Sequence, residues 1–151
     1  MSNTSSDSKR RTSWIGWIRA ALVLAGLGHV GVFLFVAGLR RSYPFELEWM
    51  EGGVLEHVRG VPDGKPIYVP PPLEFTPFLY APLYYYASAA LAAFRGLSFA
   101  VLRDLSWVMT VGSAAWVFDL ARFTSGSKFA GVLAVGCFAA TYLPTGAWFD
   151  L

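Results

Sequence analysis

A chain of 151 residues of which 55% are apolar, 17% aromatic and only 15% charged is too greasy to cover a water-soluble surface. Its formal net charge of +2 selects no class of partner, and no basic stripe interleaved with aromatics is present, so nothing points to nucleic acid. A single cysteine, Cys137, lies in an apolar block and reads as a buried small hydrophobe, which leaves no disulfide framework and no metal-ligand spacing of the CxxC kind. His29 and His57 are too far apart to read as a metal pair, and His29 reads as a helix-packing residue.

The charges crowd into the first eleven residues and into the stretch from Arg40 to Glu74. Met1 to Ser13 is rich in Ser and Thr and carries Lys9, Arg10 and Arg11, the composition of a disordered tail held on the cytoplasmic side. From Ala20 to Leu39 no charge occurs, and about twenty residues at roughly 1.5 Å each span the hydrocarbon core. A cleaved signal peptide competes with this reading, but its apolar region is shorter, and Leu39-Arg40-Arg41 does not resemble a small-x-small cleavage site.

From Ser42 to Ala81 the chain changes character, broken by Pro44, Pro66, Pro70, Pro71, Pro72 and Pro77 and by four glycines, as a loop outside the bilayer core would be. Its acidic surplus opposes the basic N-terminal tail, which places it on the outer side. Within it Leu47, Met50, Val54, Val58 and Val61 recur at spacings of three and four and predict an amphipathic surface helix. Glu51 falls about 60° from the centre of that stripe, Glu48 about 120° and Glu56 about 160°, so Glu51 is the acid nearest the buried face.

Pro77 to Phe94 is apolar and aromatic, but Pro82 and Arg95 leave only about a dozen uninterrupted helical residues, too few for a span. An interfacial helix is the expectation, with a crossing as the alternative. Tyr84, Tyr85 and Tyr86 together with Trp49 read as an interfacial aromatic belt. Leu97 to Ala121 and Phe129 to Phe149 are long enough to cross, the second interrupted late by Pro144. The expected fold is therefore all-α: a polytopic plasma-membrane protein with three transmembrane helices and amphipathic juxtamembrane helices in the first outer loop. Residues 14–151 form its membrane domain after a tail of residues 1–13. Crossings are placed at about 17–39, 98–121 and 128–147, the surface helix at about 46–61 and the interfacial helix at about 80–95.

Three stretches carry a family signature: Tyr43-Pro44-Phe45-Glu46-Leu47-Glu48-Trp49-Met50-Glu51-Gly52-Gly53, then Asp63-Gly64-Lys65-Pro66-Ile67-Tyr68, then Tyr80-Ala81-Pro82-Leu83-Tyr84-Tyr85-Tyr86. In that order they resemble the GT-C membrane glycosyltransferases that use polyprenyl-phosphate sugars, such as protein mannosyltransferases and aminoarabinose transferases. The likeness continues through Arg103-x-x-Ser106 to Asp150, where the family carries a second outer-loop acid. Two departures stand out. The usual Asp-Glu pair is replaced by Glu48-x-x-Glu51, and relatives continue through several more helices past the point where this chain stops.

The resemblance implies transfer of a sugar from a polyprenyl-phosphate donor to an acceptor at the outer membrane face, with this chain as the N-terminal portion and inactive alone. An acceptor hydroxyl needs a carboxylate to take its proton, and partial burial tunes such a group for the task. Glu51 is the first candidate for that base and Glu48 the second. Asp150 would orient the acceptor or help hold a divalent cation, and Arg59 and Lys65 would contact the donor phosphate. Sugar, acceptor and metal dependence stay open. A membrane scaffold or transporter fragment without catalytic acids is the competing reading.

Overall fold

The computed structural model describes residues 4–73 and 75–145, which contain helices and no strand. The helices are α1 (Thr4–Arg41), α2 (Glu51–Gly60), α3 (Pro82–Arg95), α4 (Phe99–Ser125), α5 (Lys128–Ala140) and the single turn α6 (Tyr142–Thr145). The all-α expectation holds over these residues. The chain divides into two compact units, one of residues up to Phe35 with Gly112–Pro144, the other built on Val36–Val111.

Trp14–Arg41 is, among the described residues, the one helical segment long and apolar enough to cross a membrane. Its 28 residues reach about 40 Å, more than the hydrocarbon core requires. Only 17% of its most apolar window is buried, which is unlike the core helix of a water-soluble protein. Phe35 and Leu39 stand 68% and 63% exposed. The helix also begins earlier than a disordered tail of residues 1–13 allows, because extending a formed helix costs far less than nucleating one.

The other two expected crossings do not meet the same test. α4 has the length, with 27 residues, but carries Arg103, Asp104, Asp119 and Arg122. α5 has only 13 residues, about 20 Å, and ends at Ala140 where a span to about 147 was expected. Pro144 supplies the reason, since its ring opposes the carbonyl four residues earlier, that of Ala140, and it has no N–H to give.

In the first unit α1 meets α5 where two glycines face each other. A Cβ on Gly136 would lie 2.5 Å from the Gly26 Cα, so the backbones touch without side chains between them. Phe33 and Tyr142 close the same unit edge to face, with centroids 5.0 Å apart. We expect Gly136→Val to cost about 1–3 kcal/mol of stability by overpacking, read as a lower melting temperature in detergent. Gly28→Ala, where a Cβ meets nothing within 4 Å, should leave melting unchanged or raise it. His29 donates within its own helix, with Nδ1 2.8 Å from the Ala25 carbonyl. Cys137 is exposed, contrary to the buried position its apolar neighbours indicated, because the buried positions of α5 are Gly131, Gly136 and Ala139.

In the second unit α2 packs on α3 around Val58, Ile67, Tyr85 and Ala89. Pro82 opens α3 at its first turn, and Gly96 ends it at φ 82°, a conformation that only glycine adopts without strain. A helix of 14 residues thus lies within the stretch of about 80–95 where one was expected. The surface helix is shorter than the expected 46–61, starting at Glu51 with Leu47 and Met50 left in the preceding loop. Carboxylates explain the delay: Glu48 Oε2 accepts from the Met50 N–H at 2.9 Å and Glu51 Oε2 from the Leu47 N–H at 2.8 Å. Those amides are satisfied without helix.

Candidate functional site

Arg103 is, with Tyr85, one of the two largest fully enclosed side chains of the second unit among the described residues, 2% exposed near the start of α4. A guanidinium has five N–H donors, and a buried one must place them all. Nε and Nη2 grip Glu51 side-on, Nε to Oε1 at 2.7 Å and Nη2 to Oε2 at 2.6 Å. Nη1 donates to the carbonyls of Arg40 (3.0 Å) and Tyr43 (2.5 Å), and Nη2 also to that of Phe45 (2.8 Å). Phe99 lies against the cation with its centroid 5.5 Å from Cζ. One side chain therefore ties the end of α1, the loop after it and the first turn of α2 to α4.

Glu51 is 4% exposed and its carboxylate accepts three N–H groups, two from Arg103 and one from Leu47. The helical periodicity correctly made it the most buried of the loop acids. Its expected role as a free proton acceptor meets a physical obstacle, because three of the roughly four lone-pair sites of the carboxylate are occupied, two of them by the cationic clamp. Glu48 is half-buried and gives one oxygen, Oε2, to the Met50 amide, with no further side-chain hydrogen bond or ion pair among the described residues. Of the two acids it is the one with a carboxylate oxygen to spare.

The remaining candidates separate. Arg59 pairs with exposed Glu56 one turn back along α2, and Lys65 stands 4.0 Å from Asp63; all four side chains are more than half exposed. Neither cation reaches Glu48 or Glu51 by any contact in the structure, so the phosphate-contact role assigned to them gains no common pocket. Asp150 lies outside the described residues, as does Glu74. Among the described residues no three His, Cys, Asp or Glu side chains gather as metal ligands would.

A cavity of about 310 Å³ opens beside the clamp, lined by Met50, Glu51, Val54, Tyr80, Tyr84 and Tyr85. The expected aromatic belt splits here. Trp49 and Tyr86 are exposed, at 77% and 55%, whereas Tyr85 is buried and Tyr84 half-buried. Tyr84 donates to the Leu102 carbonyl (3.1 Å) and shares a hydrogen bond with Ser106 Oγ (3.0 Å). Burial raises its phenol above the ordinary value, against the opposing pull of Ser106. Tyr85 is pushed up to about 12, first by burial and then by its phenolic neighbours Tyr68, Tyr80 and Tyr84. Its hydroxyl has no hydrogen-bond partner among the described residues.

That contrast yields paired expectations. Tyr84→Phe should cost about 1 kcal/mol for its lost hydrogen bonds, whereas Tyr85→Phe, which removes a buried and unpaired hydroxyl, should leave stability unchanged or raise it. Thermal melts of both variants in one detergent read the difference.

Sequence reasoning passed over His57, which is 3% exposed behind this cavity. Its Nδ1 lies 2.6 Å from the Gly53 carbonyl and its Nε2 accepts from the Phe78 amide at 3.0 Å, so the ring is the neutral Nδ1–H tautomer. It stacks between Phe78 and Tyr85, with centroids 5.2 and 5.0 Å away. Gly53 lets the ring come this close, since a Cβ would lie 2.5 Å from the edge of the Phe78 ring and push it aside. Asp104, also passed over, holds two arginines, Arg41 and Arg95. Asp104 stands with Arg103 in an otherwise apolar run, and that setting was the available signal of a buried partner, whereas His57, between Glu56 and Arg59, carried no such signal. Searches of family models, curated proteins and solved structures find no match to the chain.

Proposed function

We propose that the chain contributes the outer-loop part of a membrane glycosyltransferase, binding a polyprenyl-phosphate sugar beside α2 and α3 and presenting Glu48 to the acceptor. The observation that carries this reading is the cavity of about 310 Å³, walled by Tyr80, Tyr84 and Tyr85 together with Met50 and Glu51. Sugar-binding sites combine aromatic faces with a few convergent polar groups, and this wall has both. In this reading α1 crosses the membrane and α4 and α5 complete a three-crossing arrangement with the N-terminus in the cytoplasm. Glu48 takes the acceptor proton. Glu51 is a positioning residue that holds the Glu48 loop through Arg103.

The scaffold reading draws on a different observation, the three N–H donors held by Glu51, which commit most of that carboxylate to holding the fold together. A photoactivatable polyprenyl-phosphate hexose separates the two. With the chain reconstituted in liposomes, label should map to peptides containing Met50–Val54 or Tyr80–Tyr85, and Tyr85→Phe should weaken it. Label confined to the exposed faces of α1 and α4, unaffected by that substitution, would leave the scaffold reading standing.

A further inference from the structure

Asp104 follows Arg103 by one residue, about 100° around α4, and belongs to a second cavity on another side of that helix. This cavity, of about 740 Å³, is walled by Gly38 and Arg41 of α1, Leu91 and Arg95 of α3, and Asp104 and Trp107 of α4. Arg41 gives Nε and Nη2 to Asp104, and Arg95 gives Nη1. Of roughly ten guanidinium N–H donors, only three are thus committed. The carboxylate is nearly buried, at 11%, while the two cationic side chains stay 54% and 46% exposed. Two guanidiniums against one carboxylate leave a surplus positive charge at the mouth of an otherwise apolar cavity.

We propose that this cavity binds the phosphate of an anionic glycerophospholipid, with an acyl chain lying along Gly38, Leu91 and Trp107. Two planar forks held apart by a shared acid suit a tetrahedral oxyanion, which accepts from both. The depth of the site argues for a lipid. Arg41 is the last residue of the apolar segment Trp14–Arg41, so Gly38, one turn earlier, marks the passage from hydrocarbon to headgroup level. A Cβ at Gly38 would meet nothing within 4 Å, which leaves the groove open to a chain. Trp107 is 37% exposed beside it and Val108 59%. The site is distinct from the tyrosine-lined cavity and does not depend on sugar transfer.

The test uses the whole chain in nanodiscs containing phosphatidylglycerol or phosphatidylcholine, with retained lipid counted by native mass spectrometry. Phosphatidylglycerol should be retained preferentially, and Arg41→Gln or Arg95→Gln should each lower its retention about fivefold. Either single variant leaves Asp104 one partner. The combined R41Q/R95Q/D104N removes the cavity's charges together and should abolish the preference while circular dichroism stays helical. Arg59→Gln should change nothing. Equal retention of both lipids, an equal loss on Arg59→Gln, or displacement of the lipid by millimolar inorganic phosphate would each overturn the proposal.

Discussion

Glu51→Ala or Arg103→Met is expected to cost about 3–5 kcal/mol of folding stability, the penalty for leaving one charge of a buried pair without its partner. Both side chains are almost wholly enclosed, at 4% and 2%, so water cannot replace the missing group. The Arg103 variant should be the worse of the two. It frees the Glu51 carboxylate and also strips a donor from the carbonyls of Arg40, Tyr43 and Phe45. Arg103→Lys will not rescue it, because an ammonium carries three donors and no planar fork for five acceptors. Replacing both residues by methionine should recover part of the loss by removing the isolated charge, but not the part owed to the three carbonyls. Chemical or thermal unfolding in detergent gives the ranking.

Glu48→Gln is expected to act on function and not on fold. It should lower sugar transfer by about 10²–10⁴-fold, the usual contribution of a general base, in membranes that carry the chain together with the rest of the transferase it contributes to and are given a labelled polyprenyl-phosphate sugar. The glutamine carbonyl can still accept from the Met50 amide, so the loop before α2 keeps its hydrogen bond and the melting temperature should not move. A fall in melting temperature equal to that of Glu51→Ala would make Glu48 another structural acid and withdraw its role in transfer.

Much of the fold was legible because it rests on local physics. The charge-free run after Ala20 announced a long apolar helix, Pro82 and Arg95 bracketed α3, and the three-and-four spacing of Val54, Val58 and Val61 placed Glu51 toward the packed side of α2. What escaped depends on partners distant in sequence. Glu51 and Arg103 are 52 positions apart, and helical periodicity can mark an acid as buried without saying what it meets there. The same holds for Asp104 with Arg41, for His57 with Phe78, and for the start of α2. Periodicity extended that helix back to Glu46, while the Glu48 carboxylate had already taken the Met50 amide that the longer helix would use. Arg59 and Lys65 failed to join the acids for a similar reason, since each finds a nearer exposed partner on its own segment.

The division of labour between the two acids can be read by chemical modification. The folded chain is treated with a water-soluble carbodiimide and an amine, and the labelled carboxylates are located by peptide mass spectrometry. Glu48 should be modified readily, while Glu51 stays protected until Arg103 is replaced or the chain is unfolded. Labelling of Glu51 in the native chain as fast as Glu48 would contradict the clamp and return both carboxylates to equal standing.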